Sequence, residues 1–143
     1  MANSTIEQEL DHLGHCLFQT VGDSMEPLLH NRKSTVVIEK STGMLRKYDV
    51  ALYRRPTGEY VLHRIVKVKK GNYLICGDNR IYREPVPGEW ILGVMTGFYP
   101  DESSRYLTCS DPEYQEYLHA WGRNYCRRWI RALPGRLWRK MPL

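Results

Sequence analysis

The sequence predicts a mainly β fold, a small twisted sheet or partly closed barrel with a short helix before it and an amphipathic helix after it. Short runs rich in β-branched and aromatic residues, separated by tight turns, fill residues 16–109. Apolar residues recur at helical spacing near both ends of the chain. The length of 143 residues suits one core. We divide the chain into a β domain at 1–109 and a basic, aromatic helical segment at 110–143.

The first predicted element is a helix over residues 4–14. Ser4 and Glu7 have the spacing of a capping box, in which each side chain accepts a hydrogen bond from the other residue's backbone. Apolar residues then follow at intervals of three and four, namely Ile6, Leu10 and Leu13. This spacing gives the helix one apolar face.

Extended segments follow the first helix. They are CLFQTV at 16–21, STVVIEK at 34–40, DVALYRR at 49–55, EYVLHRIVKVKK at 59–70, YLICGDN at 73–79 and WILGVMTGFY at 90–99. The Gly71-Asn72 pair between two of these runs indicates a hairpin. REPVPGE at 83–89, with its two prolines, is predicted to be a loop.

The last predicted element is a helix that begins at Pro112, with Asp111 as its N-cap. Its apolar stripe comprises Tyr114, Leu118, Trp121, Tyr125 and Trp129. Pro134-Gly135 is expected to end it, before a short basic and aromatic tail, RLWRKMPL.

The net charge of +5 conceals an asymmetry. All 16 acidic residues lie at or before Glu116, so residues 1–116 carry 14 basic and 16 acidic side chains, a balance of −2. Residues 117–143 carry seven basic side chains and no acid. Three interpretations of this segment stay open: a helix packed on the β core with its arginines in water, contact with an anionic membrane surface, or nucleic-acid binding, which is the least favoured.

Four scattered cysteines, without a Cys-x-x-Cys pair, are expected to be buried free thiols, and no metal or cofactor site is predicted. The chain begins without a basic region followed by an apolar stretch, so no secretory signal is predicted. No apolar run reaches the roughly 18 residues that would span a bilayer. We therefore expect a cytoplasmic protein, with peripheral membrane contact as an option through the basic tail.

The turn TVGDSMEPLL at 20–29 presents Ser24 as a candidate nucleophile. A serine between Gly22 and Pro27 either simply forms the turn or is held there for chemistry, and a nucleophilic serine requires a base. His63 is the candidate base, because strand alternation places it between two β-branched residues that would fix its ring. The alternative is a partly buried structural histidine.

A third group would orient the imidazole and stabilise its charged form. Asp78 directly follows the strand expected to pair with the strand of His63. Glu84 lies six residues further on. Gly-Asp-Asn is also a common turn, so a purely structural role for Asp78 stays open.

Four motifs occur in one order: Ser24-Met25-Glu26-Pro27, Tyr48-Asp49-Val50, His63-Arg64-Ile65-Val66 and Gly77-Asp78-Asn79. Together they resemble the signal peptidase I and LexA-type superfamily of serine proteases, over roughly residues 16–100. The first and third motifs are most similar to the archaeal and endoplasmic-reticulum signal peptidases, which use histidine where bacterial signal peptidases and LexA-type proteins use lysine. The resemblance implies the fold of that superfamily, with Ser24 as nucleophile and His63 as base.

The resemblance also implies roles for the neighbouring residues. Asp78 or Glu84 would hold His63, and Met25 and Pro27 would shape the turn and one wall of the cleft. Gly22 stands where many signal peptidases have a serine or threonine that stabilises the oxyanion, so the backbone N–H of Ser24 and its neighbours would do more of that work.

The function that we expect is a serine endopeptidase of the processing type, acting on a peptide or protein precursor. Family members carry a membrane anchor or a DNA-binding domain, and neither is recognised here, so a stand-alone protease core is expected. Two alternatives remain: a non-catalytic module that binds peptides, and a LexA-type regulator that cleaves itself or one partner.

Overall fold

The computed structural model describes residues 5–41 and 43–132. Within them, one antiparallel sheet of eight strands lies between two helices in chain order. The helices are α1 (Ile6–Leu13) and α2 (Pro112–Ala132). The strands are β1 (His15–Gln19), β2 (Thr35–Lys40), β3 (Val50–Arg54), β4 (Tyr60–Lys69), β5 (Asn72–Cys76), β6 (Glu84–Pro87), β7 (Ile91–Tyr99) and β8 (Leu107–Thr108).

The predicted mainly β fold with a helix at each end is confirmed. The strand order is β1-β2-β7-β3-β4-β5-β6, and β8 pairs with β7. Since β1 and β6 are the two edges and do not pair with each other, the sheet is open rather than closed. All of its pairings are antiparallel.

The helix α1 begins with a capping box one residue later than predicted. The Thr5 hydroxyl accepts a hydrogen bond from the Gln8 N–H at 3.1 Å, and the Gln8 side chain accepts one from the Thr5 N–H at 2.9 Å. The capping box is therefore made by the next pair along the chain, which has the same spacing, whereas Ser4 of the predicted pair lies outside the described residues. Gly14 ends the helix with φ of 79°, a left-handed conformation that suits glycine.

Two short strands were missed by the sequence analysis. The strand β6 lies in the segment predicted as a loop, and it pairs with β5 at the sheet edge. Proline is tolerated there, because an edge strand needs backbone hydrogen bonds on one side only. The strand β8 has only two residues and pairs with Gly97 and Phe98 of β7, too short a run to leave a pattern in the sequence.

The central hairpins position the residues of the candidate site. The strands β3 and β4 pair with Ala51 opposite His63, and β4 pairs with β5 so that Arg64 lies opposite Cys76. The chain leaves the sheet directly after Cys76. The loop at 77–79 is therefore held beside the middle of β4.

The helix α2 packs its apolar stripe on the sheet. Trp121 and Tyr125 form a buried cluster with Val66 and Cys76, and Tyr114 joins the main core. The predicted stripe is confirmed at Tyr114, Leu118, Trp121 and Tyr125, whereas the side chain of Trp129, the Pro134-Gly135 stop and the RLWRKMPL tail lie outside the described residues.

The helix α2 begins at Pro112 as predicted, but the carboxylate of Asp111 accepts hydrogen bonds from the Thr108 N–H and hydroxyl instead of from the helix. In the part of the chain that the structure describes, no helix combines the length and apolar character required to cross a membrane.

Candidate active site

Ser24 and His63 meet, although 39 residues separate them in the chain. Ser24 lies in the turn that follows β1, and His63 lies in β4. The Ser24 Oγ and the His63 Nε2 are 2.9 Å apart. At this distance the hydroxyl donates a hydrogen bond to an unprotonated ring nitrogen, which is the geometry of a serine and its general base.

Backbone hydrogen bonds hold Ser24 against the loop at 77–79. The Asn79 N–H donates to the Ser24 carbonyl at 2.9 Å, and the Asn79 side chain donates to the Asp23 carbonyl at 3.1 Å. Gly77 allows this approach, since a Cβ atom there would lie 2.6 Å from the Ser24 carbonyl oxygen and 3.3 Å from the His63 Nε2. The turn and the loop therefore depend on each other for their positions.

Gly22 starts the turn in a left-handed conformation, with φ of 96°. Its N–H donates to the Asn31 side chain at 2.8 Å and is therefore already bonded. The Ser24 N–H, by contrast, makes no hydrogen bond within residues 5–41 and 43–132. Of these two backbone donors, that of Ser24 is the one available to an oxyanion.

Met25 and Pro27 lie on different sides of the turn. Met25 is buried, lines the same groove as Ser24 and His63, and accepts a hydrogen bond on its sulfur from the Asp78 N–H at 3.4 Å. Pro27 lines a separate cavity beside α2. Met25 thus lies at the wall of the groove, as predicted. Pro27 lies on the other side of the turn and does not line the groove.

The electrostatics of His63 favour a neutral imidazole at pH 7. Burial lowers its pKa from 6.5 to about 4, and the nearby Arg55 and Arg80 add to this effect. Glu84 and, more weakly, Asp78 oppose it by favouring the charged form. His63 is therefore unprotonated at pH 7, the form in which a general base acts, and its lowered pKa makes it a weaker base than a free imidazole.

Asp78 is buried in a pair with Arg64, and the side chains of both residues are 0% exposed. The Arg64 guanidinium donates to both carboxylate oxygens, at 2.6 Å and 2.8 Å, and the Tyr117 hydroxyl donates to one of them at 2.8 Å. Arg64 also donates to the Tyr114 hydroxyl at 2.9 Å. These bonds leave the Asp78 carboxylate directed to Arg64 and α2, and no hydrogen bond within the described residues joins it to His63.

Glu84 forms a second hydrogen-bond network, separate from that of Asp78, with Tyr53 and Arg55. Its carboxylate accepts hydrogen bonds from the Tyr53 hydroxyl at 2.6 Å and from Arg55 at 2.8 Å and 2.9 Å. The hydrogen bond from Arg55 is the largest of the effects that lower the Glu84 pKa. In the described part of the chain no hydrogen bond joins Glu84 to His63, so each predicted orienting acid acts on the imidazole through its charge alone.

The Ser24–His63 pair opens into a groove of about 360 Å³ between the end of β1 and the start of β4. Apolar side chains form much of its lining, among them Ile6, Phe18, Val21, Leu52 and Leu62. Arg55 and Glu59 add charge near one part of it. Its volume and largely apolar lining are those of a ligand-binding cleft.

The helix α2 supplies contacts that the sequence analysis missed. The Trp121 indole N–H and the Arg128 guanidinium both donate to the Asp78 carbonyl, at 3.1 Å and 2.8 Å. The guanidinium of Arg64 also lies over the Trp121 ring, 5.2 Å from its centroid. The available signal for this network was an arginine on the same strand face as Leu62 and Val66, followed by Gly-Asp-Asn and an aromatic helix stripe.

The structure brings Ser24, His63 and Met25 into one groove and places Asp78 and Glu84 nearby with other partners. Within the described residues, no group of three or more His, Cys, Asp or Glu side chains could hold a metal ion. All four cysteines are free, but the prediction that they are buried holds only for Cys16 and Cys76, since Cys109 is partly exposed and Cys126 is exposed on α2. Comparison of the sequence with protein-family models and with curated proteins found no match.

Proposed function

We propose that this protein is a serine endopeptidase of the processing type, with the fold of the signal peptidase and LexA-type superfamily. The observation that carries the proposal is the 2.9 Å contact between the Ser24 Oγ and the Nε2 of a neutral, mostly buried His63. A hydroxyl paired with an unprotonated imidazole is the minimal apparatus for nucleophilic attack on a peptide carbonyl.

In the proposed reaction, the Ser24 Oγ attacks the carbonyl carbon of the scissile bond while His63 takes the hydroxyl proton. The tetrahedral intermediate collapses, the C–N bond breaks, and His63 returns the proton to the leaving amine. Water then attacks the acyl-enzyme with His63 again as the base, and the acid product leaves Ser24 free. Each proton thus passes through the Nε2 of His63.

The charge that develops during the reaction has two sources of stabilisation in this proposal. The Ser24 N–H is available for the oxyanion, since it makes no hydrogen bond within the described part of the chain. Glu84 and Asp78 favour the imidazolium through their charge, and Glu84 has the larger effect. Glu84 is therefore the stronger candidate for the third group.

The substrate that we propose is an extended peptide or protein segment. The groove follows the end of the edge strand β1, where an added strand has free backbone groups to pair with. Val21, which is 72% exposed, lines the groove at this edge. Apolar side chains in the substrate would then be buried against the groove floor.

Labelling with an acylating or phosphonylating agent tests the proposal. We expect one adduct on the wild type by intact mass, located at Ser24 by peptide mapping, and none on Ser24→Ala or His63→Ala. Ser103→Ala and His12→Ala, which change an exposed serine and an exposed histidine, should label like the wild type. Labelling that persists in Ser24→Ala would contradict the assignment of the nucleophile.

A non-catalytic peptide-binding module is the second candidate, because neither carboxylate hydrogen-bonds His63 while the groove and the β1 edge remain suited to a peptide. It predicts that folded wild type forms no adduct but still binds extended apolar peptides. A regulator that cleaves itself or one partner would instead form the adduct and show no turnover of free peptides.

For location and further partners, we propose the cytoplasm, with contact to an anionic membrane surface through the basic end of the chain. The support is the seven basic residues and no acid in 117–143. Truncation after residue 133 should abolish pelleting with anionic vesicles. Pelleting that does not depend on vesicle charge would contradict this part of the proposal.

A further inference from the structure

A cavity of about 560 Å³ lies behind the Ser24 turn, between that turn and α2. Residues 26–27 form one wall, the loop at 78–79 forms another, and α2 closes the third. None of its lining residues is shared with the groove that contains Ser24 and His63. The cavity is therefore distinct from the groove, but the loop at 77–79 links the two, since its Asn79 N–H donates to the Ser24 carbonyl.

Three arginines of α2 line this cavity: Arg127, Arg128 and Arg131. Arg127 and Arg131 are exposed, and within the described part of the chain neither makes a hydrogen bond or an ion pair. Both also line the neighbouring cavity that contains Arg123. Three guanidinium groups on about one turn of helix repel one another unless an anion lies between them.

Arg128 differs from its two neighbours because part of its guanidinium is buried. One terminal nitrogen donates to the Asp78 carbonyl at 2.8 Å. Its Nε is buried and has no hydrogen-bond partner among the described residues. A buried donor without an acceptor is costly, so a ligand oxygen at this position would satisfy it.

The acids near the cavity do not cancel the charge of these arginines. Asp78 is already neutralised by the two hydrogen bonds from Arg64. Glu26 is partly exposed, and its carboxylate accepts a hydrogen bond from the Asn31 N–H at 3.3 Å. Three basic groups therefore face a single acid, Glu26, whose charge is not already neutralised.

We propose that this cavity is a binding site for a small anion of the phosphate class, held by Arg127, Arg131 and the Nε of Arg128. Guanidinium groups match the oxygens of a phosphate with paired, charge-assisted hydrogen bonds. A phosphate group carries enough oxygens to meet all three arginines at once. Binding would also complete the hydrogen bonding of Arg128, the residue that holds the Asp78 carbonyl.

Calorimetric titration of the full chain with inorganic pyrophosphate, at low ionic strength, tests the site. We expect saturable binding that weakens as salt is added, because salt screens charges at an open cavity. Arg127→Gln and Arg131→Gln should each weaken binding by about tenfold or more, the loss expected for one charge-assisted contact. Binding should raise the melting temperature of the wild type, since the ligand binds only the folded state.

Arg123→Gln is the matched control. It removes the same charge from an exposed position on the same helix. Arg123 does not line the proposed site, but it lines the neighbouring cavity that Arg127 and Arg131 also line. Its affinity for pyrophosphate should stay within about twofold of the wild type. An equal loss in Arg123→Gln would overturn the proposal, because the general charge of α2 would then account for binding. So would the absence of any pyrophosphate binding to folded wild type.

Arg128→Lys tests the buried nitrogen separately. Lysine keeps the positive charge and retains a donor for the Asp78 carbonyl, but it has no Nε–H in that position. If Arg128→Lys binds pyrophosphate more weakly and the melting temperature of the free protein is unchanged, the result would support direct binding of the anion by the Nε of Arg128. Unchanged affinity would contradict the role given to Nε.

Vesicles distinguish the two sources of a phosphate group. If the site serves a lipid headgroup, vesicles that contain phosphatidic acid should bind the wild type, pyrophosphate should compete, and Arg127→Gln should reduce binding. If the site serves a free phosphate compound, pyrophosphate should bind the wild type, and vesicles that contain phosphatidic acid should not displace the pyrophosphate. If the wild type binds neither pyrophosphate nor these vesicles, the proposed site is refuted.

Discussion

The partly buried imidazole of His63 makes the stability of the fold depend on pH in a predictable direction. In the unfolded chain this imidazole takes up a proton near pH 6.5, whereas in the fold it does so only near pH 4. Between these values the unfolded state binds more protons, so stability rises with pH. The contribution of His63 is therefore present at pH 7 and is lost as the pH falls from about 6.5 to about 4.

The size of the effect follows from the two pKa values. A difference of about 2.5 pH units corresponds to about 3 kcal/mol in the free energy of unfolding. Linkage with these values gives a loss of about 2 kcal/mol at pH 5 and about 3 kcal/mol at pH 4. At pH 7 the contribution is almost complete, because the imidazole of the unfolded chain is mostly neutral there.

Urea denaturation of the wild type and His63→Gln between pH 7.5 and pH 4 measures this effect. Glutamine is a neutral amide, so the difference between the two proteins isolates the titration of His63 from that of the carboxylates. We expect the wild type to lose about 2 kcal/mol more than His63→Gln between pH 7 and pH 5. The imidazole resonance of His63 should titrate near pH 4 by NMR.

Two results would refute this reasoning. If the difference in unfolding free energy between wild type and His63→Gln does not change with pH, the imidazole has the same pKa in the folded and unfolded states. An NMR titration midpoint at or above pH 6.5 would show that burial and the charge of Arg55 do not lower the pKa of His63. In the proposed enzyme, the labelling rate of Ser24 should fall with the same midpoint as the NMR titration.

Three other perturbations have defined outcomes. Arg64→Ala leaves the Asp78 carboxylate buried without its cation, so urea denaturation should show a loss of about 3–5 kcal/mol. Gly77→Ala places a Cβ atom 2.6 Å from the Ser24 carbonyl oxygen, and it should slow labelling of Ser24 by about tenfold or more. A thiol reagent should modify the exposed Cys126 quickly in the folded protein and the two buried cysteines only as the chain unfolds.

Matched variants serve as controls for these three predictions. Arg123→Ala removes an exposed arginine, and its stability should stay within about 0.5 kcal/mol of the wild type. Gly43→Ala adds a methyl group where no heavy atom of the described residues, apart from its chain neighbours, lies within 4 Å, so labelling should not change. Cys126→Ser should remove the fast thiol reaction. A small stability loss in Arg64→Ala, comparable to that of Arg123→Ala, would show that the buried ion pair matters little.

The strands were predictable where side chains alternate between two environments. In β4, Val61 and Ile65 pack in one apolar cluster, whereas Leu62 and Val66 pack in others, as alternation along a strand requires. The strand β6 escaped prediction because its two prolines resemble a loop, and only its position at the sheet edge makes them acceptable.

The partners of Asp78 could not be predicted from the sequence. A residue that follows β5 can lie beside any part of β4, and adjacent residues of β4 point to opposite faces of the sheet. Whether Asp78 meets His63 or the neighbouring Arg64 therefore depends on register, and the structure places it on Arg64. The contact between Ser24 and His63 likewise depends on packing over a separation of 39 residues.

The role of α2 was only partly predictable. Its apolar stripe indicated packing on the sheet, and that packing is observed. The stripe did not indicate that the Tyr117 hydroxyl and the Trp121 indole would complete the hydrogen bonding of Asp78. Periodicity identifies a buried face, but it does not reveal which polar groups at the edge of that face meet a partner.

The place of α2 in the chain has a consequence for synthesis. The Asp78 carboxylate and carbonyl accept hydrogen bonds from Tyr117, Trp121 and Arg128, which are made after every strand of the sheet. Until α2 has been made and has packed on the sheet, the Arg64–Asp78 ion pair is not buried by this helix. The loop beside Ser24 also lacks the three hydrogen bonds that α2 donates. A chain that ends before α2 therefore cannot make these three hydrogen bonds to Asp78, even when its sheet is complete.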